Sequence, residues 1–174
     1  RHRKSVGRRP RDVAATTLDW GFPVLCSGIS LIDHGRLHYR GREAVKWAGH
    51  ASLEDTARLL WSCGDVDPFD GEGRAEPFWD SGLLKQATQL PLTERCQILL
   101  PFVSVGRATA WQRGNRTLWS GGAALLRAIA GAAVGAMPDD RPVHEHLAAV
   151  WDLDVAATDV VRRALVLLQP EHVA

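Results

Sequence analysis

Apolar positions fall at the three- and four-residue spacing of amphipathic helices along most of this chain, and β-prone runs occur in one place only. Those runs are Gly28-Ile-Ser-Leu-Ile32 and Arg36-Leu-His-Tyr39, joined by Asp33-His34-Gly35, whose Asp and Gly suit a tight turn. They predict a small hairpin, which is marginal alone and has to lie against something larger. Arg42–His50 then offers a short helix. Ser52-Leu-Glu-Asp55 opens a clearer one: Ser52 can accept from first-turn N–H groups and Asp55 stands at the capping-box position. Leu53, Ala57, Leu60 and Trp61 form its apolar face, and Gly64 is the expected stop.

Residues 64–78 are rich in Gly, Pro and acids and read as a loop. Gly71-x-Gly73 has no third glycine and no preceding strand, so dinucleotide binding is not indicated. Further helices are expected near Asp80 and around Thr93-Glu94. The second carries Ile98, Leu99 and Phe102, with Pro101 to kink or end it. Thr117–Met137 is the longest helical candidate. Pro142 suits the first turn of a helix through Leu147 and Val150. Asp154 caps a last one, with Val160, Ala164, Leu167 and Leu168 on its apolar face and Gln169-Pro170 at its end. Six or seven helices and one hairpin, without a repeat of fixed period, make the expected class mainly α.

Composition narrows the class further. With 174 residues, 45% hydrophobic and 24% charged, the chain is an ordinary globular domain or part of a larger one, and disorder and fibres are excluded. Its 21 basic and 20 acidic residues hide an asymmetry: Arg1, Arg3, Lys4, Arg8, Arg9 and Arg11 precede the first acid, which leaves 15 basic residues against all 20 acidic ones. Residues 1–17 therefore read as a basic arm or linker and 18–174 as a partial helical domain. Such an arm can neutralise nucleic-acid phosphates, and its blander reading is a solvated linker. The first residue is Arg1 and the only methionine is Met137, so the expectation is a chain that does not begin where translation begins.

Cys26, Cys63 and Cys96 are widely spaced, with no C-x-x-C, which indicates neither a disulfide framework nor a zinc ribbon and points to a reducing, cytoplasmic setting. The longest mainly apolar stretch, Gly121–Met137, is 17 residues interrupted by Arg127, short of the ~20 a membrane span needs, and no signal peptide is apparent. Gly131-Ala-Ala-Val-Gly135 presents small residues at the G-x-x-x-G spacing. This predicts close helix packing, within the fold or across a homodimer.

Individual residues name no reaction. His144-Glu145-His146 places two histidines at i and i+2, which point to different sides of a helix, and the H-E-x-x-H spacing is absent, so no metal site is expected. His34, His38 and Asp33 read as turn and strand polarity. No serine stands in G-x-S-x-G, and Cys63, beside an apolar helix face, reads as a small buried hydrophobe. The seven tryptophans, at 20, 47, 61, 79, 111, 119 and 151, are scattered and suit core or interface anchoring better than base stacking.

Resemblance adds a function. Residues Pro23 to Val45, through Tyr39-Arg40-Gly41, resemble the N-terminal hairpin of citrate synthases and its "YRG" step, and Ser52-Leu-Glu-Asp-Thr-Ala-Arg-Leu-Leu-Trp61 resembles that family's next helix. Pro142-Val-His-Glu-His-Leu-Ala-Ala-Val-Trp151 and Arg162-Arg-Ala-Leu-Val-Leu-Leu168 resemble the segments preceding its "A-D-H-E-x-N" motif. The likeness is nearest to bacterial citrate-synthase-like proteins with an N-terminal helix-turn-helix segment, with the basic arm as a remnant of that junction.

The resemblance implies a mainly α fold: a portion of the multi-helical large domain with a small N-terminal β-hairpin, in a two-domain homodimer. It also implies the family's tricarboxylic acid cycle reaction, acetyl-CoA plus oxaloacetate and water to citrate and CoA, with acetyl-CoA as a substrate and no separate cofactor. The family's catalytic carboxylate and two histidines follow the "A-D-H-E-x-N" motif in segments absent here, so no catalytic residue is expected in this chain. One substrate-binding position is a candidate, His172. In Gln169-Pro-Glu-His-Val-Ala174 it falls one place beyond the family's histidine, a rotation of ~100° on a helix. The expectation is an incomplete, inactive N-terminal part of such an acyltransferase. Its alternative is a non-catalytic, degenerate paralogue serving as an interaction or DNA-linked regulatory protein, which the altered Gln169–His172 end favours.

Overall fold

A computed structural model describes residues 28–70, 79–104 and 114–168. It is mainly helical, with a small antiparallel sheet at the N-terminal side. Strand β1 (Ser30–Asp33) pairs with β2 (Arg36–Tyr39), Ser30 opposite Tyr39 and Asp33 opposite Arg36. The hairpin turn is His34-Gly35, with both φ values positive (48° and 74°), which matches the right-handed twist of the two strands. A second turn of the same kind, Arg40-Gly41 (φ 44° and 83°), leads into a two-residue strand β3 (Arg42–Glu43). The Tyr-Arg-Gly step is thus a hairpin turn. It also takes the first two residues of the helix expected over Arg42–His50, which is confined to α1 (Ala44–Ala48).

Helix α2 (Leu53–Trp61) begins with the expected capping box: Asp55 N–H donates to Ser52 Oγ at 3.0 Å and Ser52 N–H to Asp55 Oδ2 at 2.9 Å. It ends on Ser62, in the left-handed region at φ 56°, before the anticipated Gly64. Helix α3 (Ser81–Ala87) is capped by Asp80, and α4 (Leu92–Leu99) passes at Leu100, one residue before Pro101, into a 3-10 turn (Leu100–Ser104). Helix α5 (Asn115–Val134) closes on Gly135 at φ 70°, α6 (Val143–Trp151) follows Pro142, and α7 (Val155–Leu167) follows the Asp154 cap.

Three apolar clusters hold these elements. Trp79, Ala87, Leu99, Ala128 and Ala132 join α3, α4 and α5; Tyr39, Ala44, Ala48 and Val166 join the sheet, α1 and α7; Ala130, Val143 and Leu147 join α5 and α6, with Leu53 and Leu165 against them.

Two expectations need correction. The anticipated face of α7 is turned to solvent: Val160 is 66% and Leu168 75% exposed, while Val161, Leu165 and Val166 point inward. Both sides of this helix carry aliphatic residues, and specific bonds set its rotation. Arg162 donates to the carbonyls of Ala48, Gly49 and Ala51 at the end of α1, and Val166 O accepts from Tyr39. Second, the apolar helix judged too short to cross a membrane runs 20 residues, and by length and composition alone it is long enough. It lies against α4, α6 and the 3-10 turn, and its central Arg127 is 6% exposed with a carbonyl partner in the loop before α3. One side of the helix is therefore packed within the chain, and 39% of its apolar window is buried.

Candidate functional site

Among the described residues, buried and half-buried polar side chains meet in two places in particular. The first is a corner where the sheet meets α2 and α7. Tyr39, buried at the end of β2, donates its hydroxyl proton to Val166 O at 3.0 Å. That oxygen is among the last four carbonyls of α7, which have no partner within the helix. Arg40 Nε donates to Leu60 O at 2.9 Å, near the end of α2, and Trp47 Nε1 donates to Thr56 Oγ1 at 3.0 Å. Arg162 serves the end of α1 in the same manner.

The second place is a nest around the start of α6. Glu54, 7% exposed, accepts from Val143 N–H at 2.7 Å and so caps α6 from another helix, where the helix dipole favours a carboxylate. Arg127 reaches from α5 to Phe69 O at 2.9 Å and lies against Asp140. His146, 4% exposed, faces Asp139 Oδ2 through Nδ1 at 2.9 Å; since an ionised carboxylate only accepts, Nδ1 carries the proton. Burial opposes the charge on Asp139, but hydrogen bonds from Arg141 and His146 outweigh it and hold the carboxyl below its usual range. Asp55 and Asp67 are likewise held low against burial, with Arg58 bonded to both. Phe69 stacks on Trp61 with ring centres 5.9 Å apart, beside the guanidinium groups of Arg58 and Arg127. A cavity of about 230 Å³ opens among these residues.

The residues singled out in the sequence are treated unevenly. His172, Cys26 and the basic arm from Arg1 to Arg11 lie outside the described residues, as do Gly71 and Gly73. His34 and His38 make local contacts, with Asp33 and with the Arg36 carbonyl. Cys63 is buried, which pushes its thiol up. Gly131 and Gly135 both make close approaches inside the chain: a Cβ on Gly131 would stand 2.8 Å from Ala136 O, and one on Gly135 2.8 Å from Thr88 Cγ2. No group of three or more His, Cys, Asp or Glu among the described residues is placed to hold a metal ion.

Sequence reasoning missed the nest. Glu54 and Val143 are 89 positions apart, and the one local sign was an arginine inside the alanine-rich run of α5. Compared with protein-family models, with curated proteins and with solved structures, the chain gives no match.

Proposed function

We propose that this chain is the scaffold part of a citrate-synthase-family acyltransferase. The observation that carries the reading is how the four segments of the resemblance meet. Tyr39 of the Tyr-Arg-Gly step bonds to Val166 of the Arg162–Leu168 segment. Arg40 of the same step bonds to Leu60 of the Ser52–Trp61 segment, and Glu54 of that segment bonds to Val143 of the Pro142–Trp151 segment. Residues that define a family by ordered motifs are expected to hold one another in place, and here each of these three bonds joins two such segments.

In this reading the residues present supply framework and no chemistry. Tyr39, Arg40 and Glu54 are spent on backbone partners, and the proton-abstracting carboxylate and paired histidines of the condensation belong to segments that residues 1–174 do not include. A homodimer along α5 belongs to the same reading. Gly131 and Gly135 are occupied within the chain, and the outer side of α5 offers Leu118, Leu125 and Ile129, each 41–54% exposed.

The product of the whole reading frame encoding these residues tests the proposal, assayed for CoA release from acetyl-CoA that depends on oxaloacetate. The expected result is turnover by that product and none by the 174-residue chain alone. Turnover by the 174 residues would overturn the scaffold assignment. A whole product that is folded and inactive would favour the degenerate paralogue.

A further inference from the structure

We propose that the outer edge of β1 pairs antiparallel with β1 of a second copy of this chain, about a two-fold axis at Leu31. In an antiparallel ladder alternate residues turn their N–H and C=O toward the partner strand. Arg40 N–H donates to Ile29 O at 2.7 Å, so Ile29, Leu31 and Asp33 face β2, and Ser30 and Ile32 turn their backbone groups away from it. The sheet order β1-β2-β3 leaves β1 at an edge, and among the described residues no strand lies beyond it. Edges are ordinarily blunted by lysine, proline or a bulge. Ser30-Leu-Ile-Asp33 has none of these, and all four residues are exposed.

The side chains limit what can lie there. Ile32 stands opposite Leu37, on the side of the sheet that carries Tyr39 and the core, and Leu31 stands opposite His38 on the other side; they are 59% and 61% exposed. A strand that matches both needs apolar residues at adjacent positions, one for each side, and β1 itself has that pattern. Of the registers a two-fold axis allows, the one centred on Leu31 keeps every bonded residue within the strand. Ser30 pairs with Ile32 of the second copy, and Ile32 with Ser30 of the second copy, each pair exchanging both N–H···O bonds. Leu31 then meets its own counterpart at the position where side chains stand closest, and the two Asp33 carboxylates fall at opposite ends of the pairing. A centre on Ser30 or Ile32 would instead call on Gly28 or the turn residue His34, and a centre on Asp33 would set like charges against each other. Two short strands bury little surface, so the dimer is weak and depends on concentration. The pairing is independent of the acyltransferase reading and of packing along α5.

Amide hydrogen exchange of the 174-residue chain over a concentration series tests it, with sedimentation equilibrium for the mass. Ser30 and Ile32 N–H should exchange quickly in dilute solution and gain protection as the dimer forms, while Leu31 N–H, directed at β2, changes little. Ile32→Pro removes an outward N–H and leaves the bonds between β1 and β2 in place. It should weaken the dimer about tenfold or more, since half of the pairing bonds are lost. Leu31→Lys sets two like charges at the closest pair and should leave a monomer, and it decides the matter if Ile32→Pro does not fold. Leu125→Lys, on the outer side of α5, should leave the protection of Ser30 unchanged. The proposal is overturned by Ser30 and Ile32 amides that exchange quickly at every concentration, or by protection independent of concentration, which would mean that the chain covers its own edge. It is equally overturned by protection that survives Leu31→Lys or is lost in Leu125→Lys.

Discussion

The corner around Tyr39 and the seam between α4 and α5 solve the same packing problem in opposite ways. At the corner, a large aromatic is buried and its polar tip is tied to a helix end, and this bond, with those of Arg162 to the end of α1, sets the position and rotation of α7. Along the seam, Ala128 and Ala132 let the backbones approach, with Leu99 as the one large, fully buried side chain. The corner is specified by hydrogen bonds and tolerates some change of shape. The seam is specified by the absence of side-chain volume and is least tolerant at Gly131, where two of the three nearest atoms are backbone.

The largest effect should therefore come from adding volume at the end of the seam. Gly131→Val places carbon where Ala136 O and Pro138 N already stand 2.8 and 3.0 Å from an ideal Cβ. Neither can rotate away as a side chain would, so the turn after α5 has to move, at about 3 kcal/mol. Urea unfolding of the variant should show that loss, with hydrogen-exchange protection falling in α5 and little changed in β2. A variant as stable as the parent would mean that the 136–138 turn is free to shift, and the contrast with the corner would fail.

How much of this was legible in the sequence follows from the range of the interactions. The Ser52–Asp55 capping box and the Asp154 cap were readable because donor and acceptor lie three residues apart, while at Asp80 a helix start was expected and the cap itself was not. The face of α7 was not, because Val160 and Leu168 on one side are as apolar as Val161 and Leu165 on the other, and the choice rests on partners such as Ala48, more than a hundred positions away. Strand β3 was too short to leave a pattern. The Glu54 nest combines residues from α2, α5 and the approach to α6, and spacing within one segment carries no sign of such a meeting. His172, the one substrate-binding candidate, falls outside the described residues.

A smaller effect should follow from cutting the corner's bond while keeping its shape. Tyr39→Phe leaves the ring in place and strips Val166 O of its donor in a site where Tyr39 is 1% exposed. The expected cost is about 1.5 kcal/mol by urea unfolding, the penalty of one unsatisfied buried acceptor. Since the bond also sets the rotation of α7, fluorescence quenching or exchange should report looser packing at Val161 and Leu165. A cost near zero would show that the ring alone orients the helix and that the corner and the seam are both held by shape.

Acid should separate the two regions with the mildest perturbation. Asp55, Asp67 and Asp139 are held below the ordinary carboxylate range, in spite of burial, by their hydrogen bonds, and all three serve α2 or the approach to α6. A carboxyl with a lower pKa folded than unfolded stabilises the fold above the unfolded value near 3.9, and that contribution is lost as pH falls through the folded value. Stability measured by urea unfolding should therefore be level from about pH 7 to 5 and decline below about pH 4. Partly exposed pairs of this kind contribute a few tenths of a kcal/mol each, so the decline should be gradual and smaller than the loss in Gly131→Val. The same pairs decide where the molecule loosens first. Exchange at pH 3.5 should open α2 and residues 139–146 while α4 and α5 stay protected, since the residues buried between them, Leu99, Ala128 and Ala132, carry no charge. If α4 and α5 open first, the nest contributes less to local stability than its bonds imply, and the contrast drawn from geometry would have to be reversed.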